Sequence, residues 1–242
     1  MKILAINGSP NLHGVTMSLV NPFLEGAREA GAETELIHIK KLKINPCLGC
    51  LNCWFVTPGQ CSQKDDMRAL YPKLREADIW VLASPLYIGG VSGPIKMFLD
   101  RFLPLVLPFI TRRNGRDRHP LRSGGKHGGI VLVSSCGLWG MENFDPMVAH
   151  IKEVCEHASR YFAGALLRPH GPALPELMES KLLSYRAHNV FAAAREAGRQ
   201  VALTGIIPDE TAMAVSRNLL PRILYNMIVN KNFKRMLKKL EK

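Results

Sequence analysis

Long apolar runs are missing from this sequence of 242 residues. A helix that crosses a bilayer needs roughly 18 or more consecutive apolar residues. The longest candidate, residues 102–110, is short and contains two prolines. The first residues, MKILAINGSP, also lack the extended apolar region and cleavage site of a signal peptide. We therefore expect a cytoplasmic protein with no membrane span.

A charge distribution typical of nucleic-acid-binding proteins is also lacking, although the formal net charge is +12. Residues 111–126 hold six basic residues and one Asp, and residues 217–242 hold eight basic residues and one Glu. These segments contribute +5 and +7, so the rest of the chain is neutral. Such local basic patches suit acidic proteins or phosphorylated ligands. We expect no nucleic acid partner and consider an acidic partner protein.

Several familiar catalytic motifs are absent too. The first glycine-containing turn has no lysine, which excludes a Walker P-loop, and the chain has no G-x-G-x-x-G dinucleotide motif. The eight histidines show no metal-binding spacing. No catalytic triad or pair of carboxylates stands out. We therefore assign no catalytic acid or base.

Strand-like and helical patterns do alternate along the whole chain. Strands are predicted at residues 2–7, 34–39, 79–83, 128–134 and 162–167, and helices at 15–30, 65–75, 94–102, 145–160 and 178–203. This alternation predicts an α/β protein with right-handed βαβ units and a parallel sheet. Five strands with helices on both faces indicate a doubly wound, flavodoxin-like sheet of order 2-1-3-4-5.

The predicted flavodoxin-like domain spans residues 1–207, with a cysteine loop at 44–62. A basic extension at 208–242 follows, and it is predicted to be helical beyond Pro221. Apolar residues recur in it at helical spacings. This helix either contacts a partner or another copy of the chain, or packs on its own domain, and we favour the second interpretation. The apolar residues are Leu219, Leu220, Ile223, Leu224, Met227 and Ile228.

The loops that follow the first four strands contain the most unusual segments of the chain. They are NGSPNLHGVT, the cysteine cluster, SPLYIGGVSG and SSCGLWGMEN. In a doubly wound sheet, loops that leave the carboxyl ends of the strands lie at one edge. We therefore expect these four segments to be neighbours.

The first of these loops is typical of a phosphate site. A helix that begins after Gly14 presents free backbone N–H groups and a positive dipole end. Ser9, Asn11 and Thr16 add side-chain donors, while Gly8 and Gly14 permit a backbone course that a Cβ would hinder. The loop suits a terminal monophosphate. The alternative is an ordinary strand–helix turn with a Ser or Thr cap.

The third and fourth loops each combine glycines with an aromatic residue. Tyr87 precedes Gly89 and Gly90, and Trp139 lies between Gly137 and Gly140. A flat ring can lie against backbone in such loops, although for Tyr87 taken alone a core position is the better interpretation. A phosphate loop and two ring-sized loops at one edge together indicate FMN.

Four cysteines of the second loop form the pattern C-x2-C-x2-C-x7-C. They are Cys47, Cys50, Cys53 and Cys61. Three cysteines at this spacing pair poorly as disulfides, but their thiolates can converge on one inorganic centre. A [4Fe–4S] cluster is the first interpretation. A structural zinc site, or a metal-free loop that shapes the active site or an oligomer contact, remains open. Cys155, on a predicted helix, is expected in the core.

The segments NGSP with G-x-T, SPLYIGGVSGPIKMFLDR and CLGCLNCW…C…KDDM together resemble the iron-sulfur flavoprotein branch of the NADPH-dependent FMN reductase superfamily. The resemblance covers roughly residues 1–165. It implies a flavodoxin-like fold, non-covalent FMN, and a homodimer or homotetramer. The residues implied at the phosphate end are Ser9, Asn11, Gly14, Val15, Thr16 and Met17. Those implied around the flavin ring are Pro85, Leu86, Tyr87, Ile88 and Gly89, with Cys136 and Gly137 on its other side.

Three functions follow from these observations. The first is an FMN-dependent oxidoreductase with an iron–sulfur cluster, which exchanges electrons with NAD(P)H, a ferredoxin-like carrier or a small acceptor. The second is a cluster-free NAD(P)H:FMN or quinone reductase, and the third is a flavin-binding redox shuttle or sensor. FMN takes up two electrons as hydride and a cluster carries one, so the first function connects a hydride donor with a one-electron partner.

Overall fold

A five-stranded parallel sheet forms the centre of the protein, in a computed structural model that describes residues 1–240. The strands of the chain are β1 (Lys2–Asn7), β2 (Glu33–His38), β3 (Ile79–Pro85), β4 (Thr111–Arg113), β5 (Arg116–Arg118), β6 (Gly129–Ser135) and β7 (Tyr161–Arg168). The sheet order is β2-β1-β3-β6-β7, which is 2-1-3-4-5 for its five strands. The predicted flavodoxin-like fold is therefore confirmed.

Nine α-helices accompany these strands within residues 1–240. They are α1 (Val15–Glu29), α2 (Asn52–Phe55), α3 (Met67–Glu76), α4 (Gly93–Asp100), α5 (Asp145–His157), α6 (Ala173–Met178), α7 (Ser184–Thr204), α8 (Asp209–Ser216) and α9 (Arg222–Leu240). The long helix predicted over residues 178–203 is wrong at its start. A turn at residues 179–183 separates α6 from α7, and in it the Ser180 hydroxyl accepts a hydrogen bond from the Leu183 N–H at 3.2 Å.

The hairpin of β4 and β5 was not predicted. Its two turn residues, Asn114 and Gly115, both have left-handed backbone angles, with φ of 50° and 74°. An Asn-Gly pair is the most common sequence for this tight turn between antiparallel strands. The basic residues of the segment therefore lie on a defined hairpin that packs beside α5, where Arg118 pairs with Glu153 at 2.8 Å.

Two helical layers cover the sheet. Alternate strand residues such as Ile3 and Ala5 face one hydrophobic cluster with α1 and α7, while Leu4 and Ile6 face a second cluster with α3, α4 and α5. Cys155 is buried in that second cluster, as predicted. Both faces of the sheet are thus apolar and covered by helices. A functional site has to be sought in the loops at its edges.

The C-terminal extension packs partly on the same core. Val215, Leu219 and Tyr225 are buried in the cluster that contains α1 and α7. Most apolar residues of α9 are instead exposed, so the favoured prediction that this helix packs on its own domain holds only for its start. The exposed residues are Ile223, Leu224, Met227, Ile228, Phe233, Met236, Leu237 and Leu240. The boundary between residues 207 and 208 stays a prediction, and residues 241–242 of the predicted extension lie outside the described residues. No helix in residues 1–240 is long and apolar enough to cross a membrane.

Candidate flavin and cysteine sites

Three of the four unusual loops meet at the carboxyl edge of the sheet. The Ser92 hydroxyl donates to the Gly8 carbonyl at 2.8 Å, which joins the first loop to the third. The Leu86 N–H donates to the Ser135 carbonyl at 2.9 Å, which joins the third loop to the fourth. The hydroxyls of Thr16 and Ser135 lie 2.9 Å apart, which joins the first to the fourth. The expected adjacency therefore holds for these three loops.

The first loop is folded by its own side chains. Asn7 Oδ1 accepts from the Ser9 N–H at 2.9 Å, and Asn11 Oδ1 accepts from the His13 N–H at 2.9 Å. The N-cap of α1 is Gly14, and no side chain caps the helix. The alternative of an ordinary Ser- or Thr-capped turn is therefore not what the chain forms. The uncapped first turn leaves N–H groups for an anion such as a phosphate.

Packing explains the glycines and the buried side chains of this loop. A Cβ on Gly8 would lie 2.2 Å from Ile95 Cγ1. Thr16 and Met17 are buried, with exposed fractions of 2% and 3%. The Met17 side chain belongs to the core, so Met17 can reach an anion only through its backbone. Sequence reasoning missed Ser135 and Ser92, which lie far from the first loop along the chain.

The third loop makes a tight turn at the surface. Tyr87 and Gly90 exchange two backbone hydrogen bonds of 3.0 Å. The two residues between them, Ile88 and Gly89, are left-handed, with φ of 48° and 73°. Tyr87 is 51% exposed, so the interpretation of Tyr87 as a core residue is wrong. Pro85 ends β3, and its position brings the turn next to β6.

Buried contacts on its inner side fix the fourth loop. The Cys136 thiol is buried and contacts the Leu138 carbonyl at 3.3 Å. Burial raises the pKa of this thiol, so Cys136 packs as a thiol rather than serving as a nucleophile. The Tyr225 hydroxyl donates to the Gly137 carbonyl at 2.5 Å. The start of α9 is thereby fixed to the loop expected beside the flavin ring.

The segment after β7 supplies support that sequence reasoning missed. Arg168 is fully buried and donates to the Val215 carbonyl at 2.6 Å. His170 is also fully buried, and its Nε2 accepts from the Leu219 N–H at 3.0 Å. Burial and the nearby Arg168 cation lower the pKa of His170 to about 4. An Arg at the end of a strand and a His two residues later were the available sign of this buried polar network.

The four cysteines gather in one pocket, but away from the other three loops. Cys47, Cys50, Cys53 and Cys61 line it together with Arg101, which follows α4. The start of α4 is joined to the first loop, and a helix of eight residues is about 12 Å long. The expectation that the cysteine cluster neighbours the other loops is therefore wrong. The reason is that Arg101 Nη1 binds the Asn45 carbonyl at 2.7 Å and holds the loop at the far end of α4.

A buried ion pair anchors this pocket. Arg101 Nη1 lies 2.7 Å from Asp65 Oδ2, with side-chain exposures of 1% and 0%. Arg101 Nη2 also donates to Cys61 Sγ at 3.3 Å. Although burial alone raises the pKa of Asp65, hydrogen bonds from Arg101 and the Asn45 N–H lower it overall. Both residues stand in the quoted segments KDDM and LDR. The sequence therefore singled out both segments, but it did not reveal the contact between them.

The thiols of the pocket differ in their surroundings. The Asn52 N–H and the Ser62 hydroxyl lower the pKa of Cys50, which is exposed. Burial, and next the neighbouring Cys61, raise the pKa of Cys53. Adjacent thiolates disfavour one another, and a cationic centre between them relieves this repulsion. The donor set therefore suits an inorganic centre with thiolate ligands.

Two such centres can be compared with the geometry of the pocket. A zinc ion needs sulfurs about 2.3 Å from one point, and no group of three or more His, Cys, Asp or Glu side chains in residues 1–240 is arranged to hold a metal ion. The enclosed volume is about 20 Å³. A cubane cluster is larger than this volume, so the four thiols as placed do not surround space for one. Cys47 and Cys50 lie in an irregular segment that contains left-handed Gly49 and Leu51.

Comparison with known proteins gives a family and several relatives. Residues 1–153 match the NADPH-dependent FMN reductase family. An iron-sulfur flavoprotein of Methanocaldococcus jannaschii is 38% identical over 142 residues, which cover 59% of this chain and 66% of the relative. One from Archaeoglobus fulgidus is 39% identical over 134 residues, 55% of this chain and 65% of the relative. The chain thus spans slightly less than two thirds of each.

Solved structures agree in fold. An NAD(P)H:quinone oxidoreductase from Methanothermobacter marburgensis superposes with a TM-score of 0.58 at 13% identity, over 83% of this chain and 96% of the other. An FMN-dependent NADH-azoreductase from Bacillus anthracis, solved with FMN, gives 0.57 at 13% identity, over 83% and 99%. At identities this low, the two superpositions show a shared fold and nothing about function. The family match, over more than half of the sequence, shows that this chain belongs to the NADPH-dependent FMN reductase family.

Proposed function

We propose that the protein is an FMN-dependent oxidoreductase. The observation that carries the proposal is the uncapped start of α1, joined by hydrogen bonds to the third and fourth loops. The FMN phosphate lies at that helix start, and the flavin ring lies between the two other loops. The residues that hold it are Ser9, Asn11, Gly14, Val15, Thr16, Met17, Pro85, Leu86, Tyr87, Ile88, Gly89, Cys136 and Gly137.

The cysteine pocket holds a [4Fe–4S] cluster in this proposal. The support is the four thiols on one pocket, the Arg101 cation against Cys61, and the names of the relatives. When bound, the cluster supplies one-electron transfer. The chain's own contribution is to hold the thiolates and to balance their charge through Arg101.

The proposed reaction moves electrons between NAD(P)H or a ferredoxin-like carrier and an acceptor. The cofactors carry the chemistry, and the protein positions them. Part of the hairpin charge is already compensated, since Arg116 and Arg118 share Glu153 and Arg113 pairs with Glu156. The basic residues of α9 are the better candidates for contact with an acidic electron-carrier protein. We also propose a homodimer or homotetramer.

Anaerobic reduction tests the flavin function. Mixing the protein with NADPH or NADH should bleach the flavin absorbance, and a ferredoxin-type acceptor should restore it. The matched variant Cys50→Ser/Cys53→Ser should retain FMN and its reduction but lose electron transfer to that acceptor. Bound flavin that neither nucleotide reduces would contradict the NAD(P)H-linked activity. Salt-independent transfer to the carrier would contradict electrostatic docking.

A cluster-free NAD(P)H:FMN or quinone reductase is the second candidate. The small enclosed volume of the cysteine pocket, about 20 Å³, favours it. In that case the cysteine loop has a structural role, and the double serine variant should retain every activity of the wild-type protein.

A further inference from the structure

A separate cavity of about 360 Å³ lies between β3, α4 and α5. Pockets for small ligands are roughly 300–1,000 Å³, while a single water occupies about 30 Å³. This space is therefore of ligand size rather than a packing gap. No residue of the three loops assigned to FMN lines it. Its apolar walls include Leu74, Trp80, Leu99, Phe102, Leu105 and Val154.

A buried cation with no carboxylate at ion-pair distance faces this cavity. Arg160 is 6% exposed. Its guanidinium donates to the carbonyls of Leu74, Ala77 and Asp78 at 2.8–3.2 Å, and it stacks 3.8 Å from the Trp80 ring centre. No ion pair within residues 1–240 involves it, and burial lowers its pKa to about 10. A buried charge with neutral partners alone remains costly, and an anion would compensate it.

The other charged groups of the cavity make it positive as well. Arg75, Lys96 and Lys126 join Arg160 in the lining, against Asp100 and Glu153, which leaves two net positive charges. Two histidines on α5 respond to this environment. Burial, and next Lys96, lower the pKa of His150, while burial and Arg118 lower that of His157. Both imidazoles are therefore neutral near pH 7 and can donate a hydrogen bond to an anion.

We propose that this cavity binds a small aromatic carboxylate, with its ring against Trp80 and Phe102 and its carboxylate directed to Arg160 and His150. A neutral compound of the same shape would leave the buried Arg160 charge uncompensated. An inorganic anion would leave the apolar walls wet. The combination of apolar walls and positive charge is what selects an aromatic acid.

The site borders the cysteine pocket but does not depend on it. Asp100 and Leu103 line both spaces. Trp54, next to Cys53, donates to the carbonyls of Leu103 and Val106 at 3.0 and 3.1 Å. A ligand in the cavity therefore touches the wall on which the cysteine loop rests. The binding itself requires neither FMN nor a cluster, so it stands apart from the proposed function.

Calorimetry with a matched ligand pair tests the proposal on the purified full chain. 3-Phenylpropionate should bind at least tenfold more tightly than 3-phenylpropionamide, which has the same shape without the charge. Val154→Phe, which fills the cavity from α5, should weaken binding of the acid at least tenfold. Leu182→Phe is the control, because Leu182 is 84% exposed and does not line the cavity.

Tryptophan fluorescence locates the bound acid. Trp80 lines the cavity and Trp139 does not, so Trp80→Phe should abolish the fluorescence change on binding while Trp139→Phe retains it. Equal affinity for acid and amide, no binding of the acid, or binding that Val154→Phe leaves intact would each overturn the proposal. If Val154→Phe does not fold, the ratio of acid to amide affinity in the wild-type protein decides.

Discussion

At the scale of single residues, Arg101 is the side chain on which the cysteine pocket depends. It contacts Asp65, the Asn45 carbonyl and Cys61 from one buried position. A buried ion pair gives little net stability when intact, but loss of one partner leaves an uncompensated charge. Removal of one partner of this buried pair should therefore cost more stability than removal of one partner of a surface pair.

Asp65→Asn should lower the free energy of unfolding by about 3–5 kcal/mol, because it leaves the buried Arg101 cation unpaired. Urea denaturation measures this change. Asp100→Asn is the control, since the Lys96–Asp100 pair is about half exposed and such surface pairs contribute roughly 0–1 kcal/mol. Equal losses in the two variants would show that Arg101 does not need its partner.

Thr16→Val should weaken FMN binding about tenfold or more, since a hydrogen bond to a charged group is worth about 1.5–3 kcal/mol. The measurement is the dissociation constant of FMN for the reconstituted protein. Ser135→Ala is the matched control, because it removes the same 2.9 Å contact between hydroxyls and keeps Thr16. Unchanged FMN affinity in Thr16→Val would remove this residue from the phosphate site.

The sequence allowed Thr16 to be predicted but not Ser135. A hydroxyl in the first turn of a helix after a glycine is a local pattern. Its partner is 119 residues away, and only the register of β3 and β6 brings it near. The contact between Asp65 and Arg101 could not be predicted for the same reason, since burial and pairing are properties of the folded chain.

At the scale of elements, α1 and α7 approach each other at two glycines. A Cβ on Gly26 would lie 1.9 Å from the Arg195 carbonyl oxygen, and one on Gly198 would lie 1.8 Å from that of Phe23. Both contacts are with backbone, which cannot rotate away. The close approach of these helices covers one face of the sheet.

Gly198→Ala should destabilise the protein by about 1–3 kcal/mol or more, because the overpacking cost exceeds the gain of roughly 1 kcal/mol in helix propensity. Thermal or urea unfolding measures it. Gly93→Ala provides the control, since a Cβ there meets nothing within 4 Å. A stabilised Gly198→Ala variant would mean that the two helices are not in backbone contact.

Elements with strong local patterns were predicted well, and those set by single side chains were not. Each predicted strand lies within two residues of an observed one, because the inner strands are continuous apolar runs and the edge strand β2 alternates in polarity. The β4–β5 hairpin was missed although Asn114-Gly115 is a recognisable turn sequence. The break before α7 contains a side-chain hydrogen bond of Ser180, which no periodicity reveals.

At the scale of the whole molecule, buried polar groups connect the sheet to the C-terminal extension. His170 accepts from the Leu219 N–H, and Arg168 lies 3.1 Å from its Nε2. His170 is therefore neutral in the folded state, since its protonation would place a second buried cation beside Arg168. The extension thus depends on a histidine that titrates below its usual pKa.

The free energy of unfolding should decrease as the pH is lowered, because of His170. The unfolded chain binds a proton near pH 6.5, whereas the folded state does so at about 4. The contribution of this residue is complete above pH 6.5 and is lost as pH falls to about 4, which amounts to roughly 3 kcal/mol. Denaturation between pH 7 and 4 should show a shallower slope in His170→Gln, and an unchanged slope in the exposed control His188→Gln. Identical slopes in His170→Gln and wild type would contradict the buried neutral histidine.

The central claim is that one chain holds FMN and a [4Fe–4S] cluster on Cys47, Cys50, Cys53 and Cys61. The most direct measurement is flavin, iron, sulfide and zinc analysis, with a visible spectrum, of protein purified without oxygen. The account predicts one FMN with about four iron and four sulfide per chain, and broad absorbance beneath the flavin bands. One FMN without iron, or with zinc instead, would contradict it.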